Sequence, residues 1–143
     1  MFCYKKLNNH ALLKYLDEQE FQAIQNIAKI ENYANDQIII SIGERNRDIL
    51  FIESGNVQVS VNLKGKIINV TKLNQGEFFG EMNFILPLRR TANIKANGDA
   101  IIHRYPYSEL CAFLKNHNLI AAKIFCAINE FQASKLIDTL NQI

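Results

Sequence analysis

The chain of 143 residues has no apolar run approaching the roughly 20 residues that a membrane-spanning helix requires. Its first residues, Met1-Phe2-Cys3-Tyr4-Lys5-Lys6, hold no apolar core of signal-peptide length. A cytoplasmic location is therefore expected, unless export follows a route without an N-terminal signal. Cysteine is scarce. Cys3, Cys111 and Cys126 are far apart and lack metal-ligand spacing, so they read as small hydrophobes rather than as a zinc or iron–sulfur set. His10, His103 and His117 are scattered as well, and no metal site is expected. Charge of one sign is also lacking. The net charge is +2, too weak a bias to argue for nucleic acid or a membrane surface. There is no Walker loop, no Ser/His/Asp or Cys/His set, and no paired carboxylates. The acids Asp17, Glu18 and Glu20 read as a helix start. Catalysis, metal and cofactor are thus not expected.

What is present is a globular composition, with 48% hydrophobic and 21% charged residues. The length suits one domain, 1–143. His10 to Ala28 carries Leu12, Leu13, Leu16, Phe21, Ile24 and Ile27 at helical spacing, which predicts an N-terminal helical segment over 1–35. Asp17 is placed to cap a helix, with Glu20 closing a capping box. From Asp36 the period changes. Ile38-Ile39-Ile40, Ile49-Leu50-Phe51-Ile52, Val57-Val59-Val61, Ile67-Ile68-Val70, Ile94 and Ile101-Ile102 read as short strands. Gly43, Ser54-Gly55, Lys64-Gly65-Lys66 and Asn74-Gln75-Gly76 punctuate them, and Asn62 to Lys66 reads as a hairpin tip. A mainly β fold over 36–105, an antiparallel barrel or roll with flanking helices, is expected. Residues 106–143 read as a short helix from Ser108 to Asn116 and a longer one from Leu119 to about Leu140. The longer helix is apolar on more than one face.

The most specific segment is 78–92. Phe79-Gly80-Glu81-Met82-Asn83 sets a glycine turn before an acid and a short apolar helix, and Arg90-Thr91-Ala92 follows. Such a turn and helix start expose N–H groups to an anion. An Arg supplies a forked cation for phosphate, and a Glu supplies acceptors for sugar hydroxyls.

This segment resembles the phosphate-binding cassette of the cyclic nucleotide-binding domain family, whose roll is shared with the catabolite activator protein. Phe79-Gly80-Glu81 opens the cassette, Arg90-Thr91-Ala92-Asn93-Ile94-Lys95-Ala96 closes it, and Arg90 lies nine residues after Glu81. Ile39 to Glu44 with Ile49 to Gly55 fits a second signature of the family. Four positions depart from the pattern. Asn83 stands for a small residue, Phe84 for an aliphatic one, and Asn46 and Asp36 for glycines. Both of the last two tolerate a left-handed backbone. A longer amide at Asn83 could hydrogen-bond a phosphate or crowd it.

The resemblance implies a jelly-roll-like β-roll (a double-stranded β-helix) with N-terminal helices and C-terminal B and C helices. It implies a 3′,5′-cyclic nucleotide ligand, cyclic AMP or cyclic GMP, bound by Phe79, Gly80, Glu81, Met82, Asn83, Arg90, Thr91 and Ala92. Arg90 would take the phosphate and Glu81 a ribose hydroxyl, with Thr91 tolerant of either base. Phe131, Gln132, Ser134 and Lys135 on the last helix are the candidate base contacts. Phe125, Ile128 and Phe131 are candidates for base stacking or a dimer seam, or else only pack on the roll. The last helix would relay occupancy to a protein partner or to a second copy, and a homodimer is expected. No residues remain here for the helix-turn-helix that DNA-binding relatives add, so a stand-alone regulatory domain is expected. Replacing Arg90 by Ala should abolish most binding and hardly change the melting temperature of the unliganded protein. The alternative is an interaction module that keeps the roll without the ligand, closed on itself by Glu81–Arg90 pairing.

Overall fold

The computed structural model describes residues 10–142. Cys3 and the other N-terminal residues read above lie outside that range. The chain runs α1 (Glu18–Gln25), β1 (Lys29–Tyr33), β2 (Ile38–Ile40), β3 (Ile49–Leu63), β4 (Lys66–Asn74), β5 (Phe78–Phe79), α2 (Glu81–Ile85), β6 (Asn93–Tyr105), α3 (Tyr107–Lys115) and α4 (Asn118–Leu140). All strand pairs are antiparallel, in the order β1-β6-β3-β4, with β2 on β6 and β5 on β3. This is a β-roll with helices at both ends.

The capping box forms as the sequence predicts. The Asp17 carboxylate accepts from the Glu20 N–H, and the Glu20 carboxylate accepts from the Asp17 N–H. The N-terminal segment is nevertheless helical only over Glu18–Gln25 among its described residues. Residues 11–15 form turns, and Lys29–Tyr33 is a strand paired to β6. Ile30 lies on an exposed strand face, so β1 shows no apolar alternation to read.

Several short strands expected from the sequence merge. Ile49 to Leu63 is one strand, as is Asn93 to Tyr105, and register shifts near Ser54 and between Val59 and Ser60 bend the ribbon. At the hairpin tip Lys64 and Gly65 take φ of 52° and 84°, the two left-handed residues of a tight hairpin. Asp36 also takes a left-handed φ of 66°. Asn46 does not, and its role is taken up below.

The run Ile49-Leu50-Phe51-Ile52 is buried on both faces because side chains alternate across a strand. Leu50 and Ile52 point into the roll with Ile40, Val57, Phe79, Ile94 and Ile102. Ile49 and Phe51 point the other way, onto Leu13, Leu16, Ile24, Phe78, Leu110 and Ile124 beneath the helices. Two cores thus share one strand, and the adjacent Phe78 and Phe79 divide between them in the same manner. The site's apolar wall belongs to the core inside the roll. Cys111 and Cys126 are free and half-buried.

His10 is buried in the helical core, stacked on Phe51 with ring centroids 3.5 Å apart. Burial, and then the neighbouring His103, pushes its pKa down to about 3. The unfolded chain takes up this proton near 6.5, whereas the folded chain resists until about 3. Stability is therefore complete above pH 6.5 and falls as pH drops through that window, at up to about 1.4 kcal/mol per pH unit. Urea unfolding across this range should show the decline, and His10→Asn should flatten it.

Candidate functional site

Glycine fixes the entry to the site. Gly80 has φ of 90°, and a Cβ there would lie 2.6 Å from the Asp48 carbonyl oxygen and 2.9 Å from Arg90 Nη1. The left-handed turn ends β5 and starts α2, which buries Glu81, Asn83 and Phe84 and exposes Met82. Arg90 is fixed by its backbone as well. Its N–H donates to the Glu44 carbonyl, and its own carbonyl accepts from the Gly43 N–H, both at 2.8 Å. The guanidinium is thereby directed inward, and Arg90 is only 4% exposed.

Four hydrogen bonds hold that guanidinium. Nη1 donates to the Gly80 carbonyl and to Asn83 Oδ1, each at 3.2 Å. Nη2 donates to Asn46 Oδ1 and to the Asp48 carbonyl, each at 2.7 Å. Nε is buried with no hydrogen-bond partner among the described residues. All four acceptors are neutral, and no carboxylate forms an ion pair with Arg90 among the described residues. Burial, and then the neighbouring Arg104, holds the Arg90 guanidinium below its ordinary range, against the opposing charges of Asp48, Glu44 and Glu81.

Asn46 explains one departure from the family pattern. Its Oδ1 accepts from both Arg90 and the Asp48 N–H, and its Nδ2 donates to the Asp48 carboxylate at 3.0 Å. Asp48 in turn accepts from Arg104 at 2.9 Å and from the Tyr107 N–H at 2.7 Å. Burial raises the Asp48 carboxyl, but the Tyr107 N–H and Arg104 outweigh it and hold the group below the usual range. Sequence reasoning treated Asn46 only as a backbone substitute and missed Asp48. The Asn-x-Asp spacing of an Asx turn was the signal available.

Glu81 is 5% exposed, and burial pushes its carboxyl up. Its partner is not Arg90. Gln132 Nε2 on α4 donates to Glu81 Oε1 at 2.7 Å. The Glu81–Arg90 closure that the interaction-module alternative predicts is therefore absent among the described residues. Asn83 supplies a closure instead, accepting from Arg90 while its Nδ2 donates to the Leu88 carbonyl at 2.6 Å.

Phe79, Gly80, Glu81, Met82, Asn83, Arg90, Thr91 and Ala92 all line one cavity of about 150 Å³. Ile40, Val59, Thr71, Leu73 and Ile94 of the roll complete its wall. Of the four candidate base contacts, Lys135 alone lines it, its ammonium 4.3 Å from the Phe131 ring centroid. Phe131 packs inward on Phe78 at 4.5 Å, Gln132 is engaged by Glu81, and Ser134 is exposed outside the cavity wall. Ile128, a candidate for the dimer seam, is buried in the chain's own core. Among the described residues no group of His, Cys, Asp or Glu could hold a metal ion.

A roll with a buried cation and a buried acid facing one small cavity, and a terminal helix hydrogen-bonded to that acid, has the form of a regulatory ligand-binding domain. The chain belongs to the cyclic nucleotide-binding domain family, whose model matches residues 30–117. It is 33% identical over 96 residues to the cAMP-dependent protein kinase regulatory subunit of Debaryomyces hansenii, covering 67% of this chain and 21% of that protein. A cyclic nucleotide-binding domain from Methylobacillus flagellatus superposes with a TM-score of 0.84 at 18% identity, covering 90% of this chain and 72% of that one. The Thermus thermophilus catabolite activator protein gives 0.75 at 22%, covering 92% and 63%. These two likenesses establish the shared fold. The chain spans about a fifth to a quarter of the length of the curated relatives it matches. Among the described residues no helix is long and apolar enough to cross a membrane.

Proposed function

We propose that this chain is a non-catalytic sensor that binds a 3′,5′-cyclic nucleotide, cyclic AMP or cyclic GMP, and relays occupancy through α4. The observation that carries the reading is Arg90, a buried guanidinium without a carboxylate partner on the wall of the cassette cavity. A cyclic phosphate supplies the missing anion, in a sheltered site where a charge-assisted bond is strong. Glu81 then accepts from a ribose hydroxyl, and Lys135 lies at the wall nearest α4. The Gln132–Glu81 bond supports the relay, because it ties α4 to the carboxylate that a ribose hydroxyl would use. Ligand shifts α4 only by its differential affinity for the two arrangements.

Calorimetric titration with cyclic AMP and cyclic GMP tests the reading, with micromolar or tighter binding expected. A hydrogen bond to a charged group contributes about 1.5–3 kcal/mol, so Gln132→Ala should tighten binding by roughly tenfold if Gln132 competes with ribose. The same titration reads this out, and weaker binding would instead make Gln132 a support of the bound state.

Leu136, Ile137 and Leu140 are exposed toward the end of α4, and they favour a homodimer through this helix. Light scattering with and without nucleotide measures it. A second reading, an interaction module without nucleotide, is favoured by Asn83 and Asn46, which occupy Arg90 donors that a phosphate would use. No heat with either nucleotide, from folded protein free of copurified ligand, would select it. A cytoplasmic location is part of the sensor reading, and imaging of the tagged protein tests it.

A further inference from the structure

A second cationic site lies beside the cassette cavity. Arg45, Arg47 and Arg89 line a groove of about 390 Å³ with Pro87 and Leu88. None of the three arginines forms an ion pair with a carboxylate among the described residues. Two are held in place without being neutralised. Arg47 donates from Nε to the Asn83 carbonyl at 2.8 Å and from Nη2 to the Phe84 carbonyl at 3.0 Å, and it stacks 4.1 Å over the Tyr107 ring. Arg89 Nη1 donates to the Gly43 carbonyl at 2.9 Å. Arg45 is exposed and makes no side-chain hydrogen bond among the described residues. The adjacent Glu44 carboxylate is engaged by the Ser41 N–H at 2.8 Å.

Fixed guanidinium groups lose little side-chain freedom when an anion arrives, and Arg binds carboxylates in a fork. The groove also has an apolar side, since Pro87 and Leu88 are exposed and Leu86 beside them is 49% exposed. A bare anion would leave that surface in water. Nucleic acid fits less well. Tight phosphate-driven binding neutralises many phosphates, whereas three cations converge here, and the aromatic face nearby, that of Tyr107, is covered by Arg47.

We propose that this groove docks an acidic peptide segment of a protein partner. Its carboxylates pair with Arg45 and Arg89, and an apolar side chain lies on Pro87 and Leu88. Such a pairing of charge with apolar contact is the usual makeup of an arginine-rich interface.

The test is fluorescence anisotropy with a fluorescein-labelled peptide of sequence Glu-Leu-Glu-Glu-Leu-Glu, beside its counterpart with Gln for Glu. The acidic peptide should bind, weaken with added salt, and lose about tenfold in affinity in Arg45→Glu/Arg89→Glu. Arg45→Glu alone changes an exposed side chain without partners among the described residues, so it keeps the fold and should still weaken binding. Lys66→Glu, on the distant hairpin, should leave binding unchanged. Equal affinity in wild type and both arginine variants overturns the proposal, as does equal binding of the Gln peptide or an equal loss in Lys66→Glu. Displacement of the peptide by an equimolar amount of inorganic phosphate would mark a simple anion site. Tighter binding of labelled oligothymidylate would mark a nucleic-acid site. Either result also overturns it.

Discussion

Arg90→Ala is expected to abolish cyclic nucleotide binding and also to lower the melting temperature of the unliganded protein. On the sensor reading, the lost affinity is that of a forked phosphate contact. Two charge-assisted bonds at about 1.5–3 kcal/mol each correspond to a loss of roughly 100-fold or more. The stability effect departs from the sequence expectation of a nearly unchanged melting temperature. That expectation treated Arg90 as a residue serving the ligand alone. The structure makes it the hub that ties Gly80 and Asn83 of the cassette to Asn46 and Asp48 of the loop before β3. Alanine leaves Asn83 Oδ1 and the Asp48 carbonyl without a donor, while Asn46 Oδ1 keeps the Asp48 N–H and the Gly80 carbonyl keeps the Phe84 N–H, and it opens a cavity, at about 1–3 kcal/mol for the unsatisfied groups. Removing a buried cation offsets part of this. A drop of several degrees is the expected net result, read by calorimetric scanning in the absence of nucleotide. A variant that bound normally would refute the site assignment. A variant that lost binding at an unchanged melting temperature would show that the hub bonds contribute little to the folded state.

Gly80→Ala is expected to be at least as damaging, although it adds one methyl group. The residue sits at φ of 90°, where an L side chain costs about 1–2 kcal/mol. The added Cβ also meets the Asp48 carbonyl at 2.6 Å and Arg90 Nη1 at 2.9 Å. The first neighbour is backbone and cannot swing away, so β5 and the loop at Asp48 must separate. That movement shifts the acceptors that aim Arg90. Both stability and nucleotide affinity should therefore fall, whereas Gly65→Ala at the hairpin tip meets no atom within 4 Å and should cost only its backbone strain. Chemical denaturation and titration of the two variants side by side separate strain from collision. Equal losses of stability with unchanged affinity would mean that the contact with Asp48 and Arg90 does not organise the site.

The identity of the cassette was legible in the sequence because its parts are local. A glycine that must be left-handed, an acid after it and an arginine nine residues on are all carried by one short stretch of chain. The capping box at Asp17 and the hairpin at Lys64-Gly65 were legible for the same reason. The partners of the two charged groups were not. Arg90 meets Asn46 across 44 positions of sequence, and Glu81 meets Gln132 across 51. Glu81 and Arg90 look like mutual partners in sequence, yet each is hydrogen-bonded to neutral groups. Gln132, a candidate base contact in the sequence, hydrogen-bonds Glu81 and so links α4 to the cassette.

By itself, then, the sequence determined the family, the roll with its flanking helices, and the cassette residues that border the cavity. Backbone preference and side-chain period act over a few residues and need no neighbour to be read. Only the tertiary structure decided how β3 serves two cores, why Asn46 and Asn83 replace smaller residues, and which element holds Glu81. Those outcomes depend on which distant polar groups are buried together. A buried guanidinium or carboxylate takes the partner that folding brings within reach, and its own stretch of sequence does not name that partner.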